Sequence, residues 1–195
     1  EMKKLLLILL CLPVIGFGQQ TYVPDDNFEA YLEANGMGNG IANDDSVNTS
    51  NISSVTHLWV NNESISDLTG IEEFSSLEHF SAQDNNLTYI DLSNNLFLEV
   101  LEIHNNNLPS LDFFGQDLLR LDCSNNQITN LSLDSMSLTT LNIGGNPITN
   151  FDATLHPDLE TLHIYGTYIY SIDLSQNPNL EFLSISGGNL LSLDL

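Results

Sequence analysis

The side chains able to do chemistry in this chain recur at matching places of a repeat. His57, His79, His104 and His163 stand in short segments with Trp59, Glu102, Arg120, Asp122, Asn142, Tyr165 and Phe182. Imidazoles beside carboxylates can ligate a transition metal or move protons, and Ser124, Asp122 and His104 supply the group types of a nucleophile, an acid and a base. His57 and His79 hold equal places in consecutive segments, which on neighbouring strands sets them about 4.8 Å apart. A metal site wants three or four convergent ligands with outer support, and the spacing fixes no third. A flat strand surface gives Ser124 no cleft that excludes water. The pattern therefore predicts no metal, no cofactor and no catalytic residue. It predicts a binding surface instead, on which exposed rings carry binding energy.

That surface needs elements to hold it. An apolar frame starts at Val55, Leu77, Leu98, Leu118, Leu138, Leu159 and Leu180, in steps of 20 to 22 residues. The first, fourth and sixth places are apolar, the ninth is usually Asn, and the eleventh, fourteenth and sixteenth are apolar again. A repeat of this length is a stacking unit, so residues 55–195 read as a solenoid domain of seven repeats, the last incomplete. Two stretches of period-two alternation predict two short extended segments per coil, with little or no helix between them. On the first segment the third, fifth and seventh places face away from the apolar columns. They include the residues above and also Asn61, Ser81, Gln83, Val100, Ser124, Thr140, Thr161 and Ser184.

The ninth-place residues Asn85, Asn106, Asn126 and Asn146 can both donate to and accept from the turn leaving the first strand, which buried peptide groups require. The column decays to Glu63 in the first repeat and to Thr167 and Gly188 in the last two, predicting a looser turn there. The fifteenth place is Asp91, Asp112, Asp152, Asp173 and Asp194, interrupted by Ser132. Like charges about 5 Å apart repel by roughly 1 kcal/mol in water, which hydration and hydroxyls at Ser93, Thr154 and Ser175 can absorb. A loosely held divalent cation is the sharper alternative.

Residues 19–54 read as an N-terminal cap. Asp26 and Glu29 form a capping box for a short helix with Phe28, Tyr31 and Leu32 on one side, and Gly36 stops it. A loop with apolar anchors at Ile41, Val47 and Ile52 follows. The helix covers the open apolar end of the first coil, as solenoids need. No such lid is expected at the other end, and since the chain stops inside its seventh repeat the pattern predicts continuation in a longer protein.

Met2, Lys3 and Lys4 precede an apolar run over 5–17, too short to span a bilayer as a helix but suited to a secretory signal. Residues 2–18 are therefore read as a signal peptide cut before Gln19, and the mature chain as secreted or surface-held without membrane insertion. The whole chain carries 26 acidic residues against three basic ones. Glu1, Lys3 and Lys4 fall within residues 1–18, so the remainder has 25 acids against Arg120 alone, a net −24. Such a field repels phosphate backbones and anionic lipid, which argues against nucleic acid as a partner. Of two cysteines only Cys123 lies beyond the signal, so no intrachain disulfide is available. It occupies a slot given elsewhere to Val60, Ile103, Ile143, Ile164 and Ile185, and reads as a small buried apolar group.

The block N-E-S-I-S-D-L-T-G-I-E-E-F-S-S-L from Asn62 to Leu77, with L-D-C-S-N-N-Q-I-T-N-L-S-L further on, resembles bacterial secreted leucine-rich-repeat proteins of the internalin kind. Together with P-D-D-N-F-E-A-Y-L in the cap, the chain looks most like the Bacteroidetes version. The resemblance implies a leucine-rich-repeat solenoid of short parallel strands, with the face described above made concave. It implies a module that binds a protein or glycan ligand there, the competing role being a non-catalytic spacer within a larger secreted enzyme or adhesin. Some relatives carry a calcium loop after the first helix. Here the comparable positions are Gly40, Ala42, Asp44 and Asn51, which lack most of the ligands calcium wants. Asp45-Ser46-Val47 and Asp134-Ser135-Met136 are similar to a short O-glycosylation signal of such bacteria.

Overall fold

The computed structural model describes residues 18–133 and 136–195, so the signal-peptide reading and the Asp134-Ser135 motif lie outside the described residues. The repeats stack as predicted. Strands β3 (His57–Trp59), β4 (His79–Ser81), β5 (Val100–Glu102), β6 (Arg120–Asp122), β7 (Thr140–Asn142), β8 (Thr161–His163) and β10 (Phe182–Ser184) form one parallel seven-stranded sheet, each pairing with the strand of the next coil. Register is fixed by the frame: Leu58, Phe80, Leu101, Leu121, Leu141, Leu162 and Leu183 lie opposite one another. All but Leu183 of these are buried, and a one-residue slip would turn the whole column outward. Each buried leucine contributes about 1.5–3 kcal/mol, enough to hold the coils together with no disulfide among the described residues.

Each coil leaves the sheet through a residue with left-handed backbone. Asn62, Asp84, Asn105 and Asn125 have φ of 58°, 56°, 55° and 53°, and Gly145, Gly166 and Gly187 have 66°, 63° and 70°. Only Asn, Asp and Gly occur in this eighth place, the types that tolerate the conformation. The ninth-place asparagine then closes the turn. Asn126 donates through Nδ2 to the carbonyls of Ile103 and Cys123, both at 3.0 Å, and accepts at Oδ1 from the Leu108 amide at 3.0 Å. Asn85, Asn106 and Asn146 repeat the arrangement, each tying its own coil to the one before. At the decayed positions Thr167 reaches only Ile164 of its own coil, at 2.8 Å. Glu63 is served from the next coil, its amide donating to Asn85 Oδ1.

The nineteenth place carries a second buried polar column that sequence reading did not find. Asn95 donates to the Ile71 and Phe74 carbonyls, Gln116 to Leu92 and Asn177 to Ala153 and His156, while His156 meets the Met136 carbonyl at 3.3 Å. The fifth histidine is thus a buried support, stacked on Phe151.

The second extended segment differs from expectation. It forms strands only in the last two coils, β9 (Ser171–Asp173) with β11 (Ser192–Asp194); elsewhere it runs as irregular chain or a single 3₁₀ turn at Ile71–Glu73 and Ala153–Leu155. The carboxylates of the Asp column bond locally in both kinds of coil. Asp91, Asp152 and Asp173 each accept from the amide two residues on, and Asp173 does so from within β9, so this bond is compatible with a ladder. The Ser93 amide and hydroxyl hold the Asp91 carboxyl below the usual carboxylate range, and the Ser175 hydroxyl and amide do the same for Asp173.

The cap contains helix α1 (Asp26–Ala34), which buries Phe28 and Leu32, with Phe28 stacked on Phe74 of the first coil. Its N-cap is Asp25, not the expected Asp26: Asp25 Oδ1 accepts from the Asn27 and Phe28 amides, both at 3.1 Å. Glu29 does not turn back to complete a capping box; its Oε1 accepts from the Asp44 amide. Gly36, at φ 74°, ends the helix as expected, with the Met37 amide bonded to the Leu32 carbonyl. The stretch read as a loop pairs β1 (Gln20–Tyr22) antiparallel with β2 (Ser46–Asn48) and adds a single helical turn α2 (Thr49–Ile52). Val47 and Ile52 are buried anchors; Ile41 is exposed. At the far end Leu191 and Leu195 are largely uncovered, so the terminal coil has no lid among the described residues.

Candidate functional site

The sheet register brings the predicted residues into two outward columns. His57, His79, Val100, Arg120, Thr140, Thr161 and Phe182 make one; Trp59, Ser81, Glu102, Asp122, Asn142, His163 and Ser184 make the other. At one end His57, Trp59 and His79 form a three-ring group, with centroids 5.6–5.7 Å apart and Trp59 49% exposed. At the other end His163 lies 5.0 Å from Phe182 and meets Tyr165 edge-on at 6.5 Å. Phe182 is half exposed while Tyr165 is partly covered. Tyr165 lies over Gly144, where a Cβ would overlap its ring. Gly144 therefore builds the seat of an aromatic in the next coil. The only signal for it in the sequence is a glycine at an outward seventh place.

The centre is polar. Arg120 pairs with Glu102 Oε1 at 3.0 Å, while the other Glu102 oxygen lies 3.9 Å from His79 Nε2. Asp122 Oδ2 accepts from Asn142 Nδ2 at 3.0 Å and lies 3.8 Å from His104 Nδ1. Both histidine contacts are too long for hydrogen bonds, and both ring nitrogens are buried without a partner.

Ser124 donates its hydroxyl to Asp122 Oδ1 at 2.7 Å and accepts from Asn142, so it has no imidazole base. Burial, with the Asp122 charge adding to it, pushes the Cys123 thiol well above its ordinary pKa, which makes it a packing group and not a nucleophile. On the opposite side a hollow of about 320 Å³ is lined by Leu111, Asp112, Phe113 and Gln116 among others. No helix among the described residues is long and apolar enough to cross a membrane.

No protein-family model and no curated protein matches the sequence. Solved structures do. An internalin, InlF, from Listeria monocytogenes superposes with a TM-score of 0.72 at 20% identity, over 89% of this chain and 63% of that one. Internalin C2 from the same organism gives 0.59 at 19% identity, covering 89% and 92%. The TLR13–ssRNA13 complex gives 0.55 at 22% identity, over 77% of this chain and 27% of that one. The chain thus spans less than two thirds of InlF, and no enzyme family is indicated. At these identities the shared property is the fold, and the chain is a leucine-rich-repeat solenoid like those of the internalins.

Proposed function

We propose that the chain is an exported bacterial module, non-catalytic, that holds a protein or glycan ligand on the concave face of its seven-stranded sheet. One observation carries this reading: two ring groups, around Trp59 and around His163 with Phe182, flank a polar centre on a single sheet face. Six strand steps separate them by about 29 Å, the reach of an extended peptide or oligosaccharide. Rings at both ends supply apolar area, and Glu102, Arg120, Asp122 and Asn142 supply polar recognition. A net charge of −23 favours a neutral or basic ligand and opposes an RNA ligand such as the one named for the TLR13 complex.

The test is capture of glycans and bacterial surface proteins on printed arrays by the wild-type chain and by a Trp59→Ala, Arg120→Ala, Tyr165→Ala variant. The variant should retain its circular dichroism spectrum and lose capture. Equal capture by both would favour the spacer role, in which the repeats only separate other domains.

A further inference from the structure

The acidic cap contains a cluster separate from the sheet face. One carboxylate oxygen each from Asp26, Glu29 and Asp45 lies within 4.8 Å of the other two. Asp26 and Glu29 sit one turn apart at the start of α1, and Asp45 is delivered from the far loop by its left-handed backbone, φ 57°, with its carbonyl accepting from the Val23 amide. An exposed acidic cluster alone would mean only hydration. Glu29 changes that, because its side chain is completely buried and its Oε2 has no hydrogen-bond partner. The other oxygen is already occupied by the Asp44 amide at 3.1 Å. A buried carboxylate oxygen without a donor is costly to keep, and here it stands at a site where two further carboxylates converge. The described residues offer no side-chain cation for it, since their one Lys or Arg, Arg120, is engaged with Glu102 in the fourth coil.

We infer that Asp26, Glu29 and Asp45 bind a hard divalent cation, Ca²⁺, that fastens helix α1 to the loop entering β2. The three oxygens lie within 4.8 Å of one another, close enough to share one ion, and an all-carboxylate set with flexible geometry suits Ca²⁺, which takes about six to eight oxygen ligands, better than the strict octahedron of Mg²⁺. Three carboxylates leave the remaining positions to water, as in sites of modest affinity. The ligand set differs from the alternate-acid loop considered for positions 40–51. There Asp44 is occupied by Asn39 and Ser46, and Asn51 donates to the Gly38 carbonyl. The proposal is independent of the ligand-binding reading of the sheet face.

The experiment is calorimetric titration of chelator-treated protein with CaCl₂ in about 150 mM salt, which screens diffuse binding to the acidic surface, paired with thermal melts. One saturable Ca²⁺ per chain is expected, with a dissociation constant of about 1 mM or tighter. At a hundredfold excess over that constant the melting temperature should rise by about 5–10 °C. Glu29→Gln and Asp45→Asn should each lose both signals. Because Glu29 is buried and its variant can fail to fold, the exposed Asp26→Asn provides a second reading and should weaken binding at least tenfold. No saturable binding at several millimolar, or binding unchanged in Asp26→Asn and Asp45→Asn, overturns the assignment.

Discussion

Asp25 and Ser66 lie 41 residues apart in sequence and are joined by one carboxylate oxygen: Asp25 Oδ2 accepts from the Ser66 amide at 2.8 Å and from its hydroxyl at 2.9 Å. The Asp67 amide reaches the same oxygen, while Oδ1 caps α1, so a single side chain both starts the lid helix and pins it to the first coil. Burial works against the charged form. The amides of Ser66 and Phe28, the Ser66 hydroxyl and the Asp67 amide outweigh it and hold the carboxyl below its usual value of 3.8.

A depressed folded pKa gives stability that is present above the unfolded value and lost as pH falls through the folded one. Asp25→Asn keeps an acceptor for the helix but turns an amide NH₂ towards three donors. It should cost about 1 kcal/mol at pH 7, a figure discounted for exposure, and progressively less as pH falls below 3.8 and through the lower folded value, where the wild-type carboxyl itself takes up a proton. Urea melts followed by Trp59 fluorescence, the chain's only tryptophan and a resident of the first coil, measure both values. A difference that stays constant with pH would remove Asp25 from this role.

Gly145→Ala should destabilise by about 1–2 kcal/mol, since φ is +66° and the added Cβ would overlap the Asn125 side-chain oxygen. Gly166→Asn should stay within about 0.5 kcal/mol, because the nearest atoms stand 3.6 Å from a Cβ there and Asn tolerates φ of +63°. Chemical denaturation of the two variants side by side separates backbone strain from crowding.

Asn126→Leu should cost roughly 3 kcal/mol, by stranding the Leu108 amide inside the stack and removing one of the two asparagine donors at the Ile103 and Cys123 carbonyls, which keep only Asn106 and Asn146. Thr167→Asn should gain about 1 kcal/mol by extending the ladder one coil further, because Thr167 bonds only within its own coil. Amide exchange at Ile148, which occupies the place that Leu108 and Ile128 hold in the bonded coils, should slow in the second variant; unchanged exchange would count against the ladder as the limiting support.

Cys123 should resist thiol reagents in the native protein at pH 8, because burial disfavours its thiolate and no reagent reaches it. Leu121→Asp puts a charge into the adjoining buried column and should make labelling at least tenfold faster, as read by absorbance of the released thiolate. Rapid labelling of the wild type would mean that the fourth coil opens far more readily than its packing implies.

Much of the architecture was legible because a period of about 21 residues repeats an apolar frame, and a frame that recurs can be satisfied only by stacking. The Asn column was legible for the same reason, since four copies of a residue with both donor and acceptor point to turn closure. The second column, Asn95, Gln116, His156 and Asn177, escaped because its members share burial and a carbonyl partner but not a residue type. Local competition hid the true N-cap: Asp25 and Asp26 are equivalent by pattern, and Ser66, brought close only by folding, selects the first. The second strand of each coil was overestimated because alternation reports side-chain facing and says nothing about which neighbouring segments pair, and only β9 and β11 do so.

The order of residues alone determined which side chains face inward, which face the sheet surface and which coil follows which, because those depend on spacing along one chain. Tertiary structure decided what spacing cannot encode. It set the Arg120–Glu102 contact, the seating of Tyr165 on Gly144, and the meeting of Asp26, Glu29 and Asp45, each of which joins residues from different coils or from both ends of the cap. Such meetings depend on distances between segments, and those distances exist only once the apolar columns have closed.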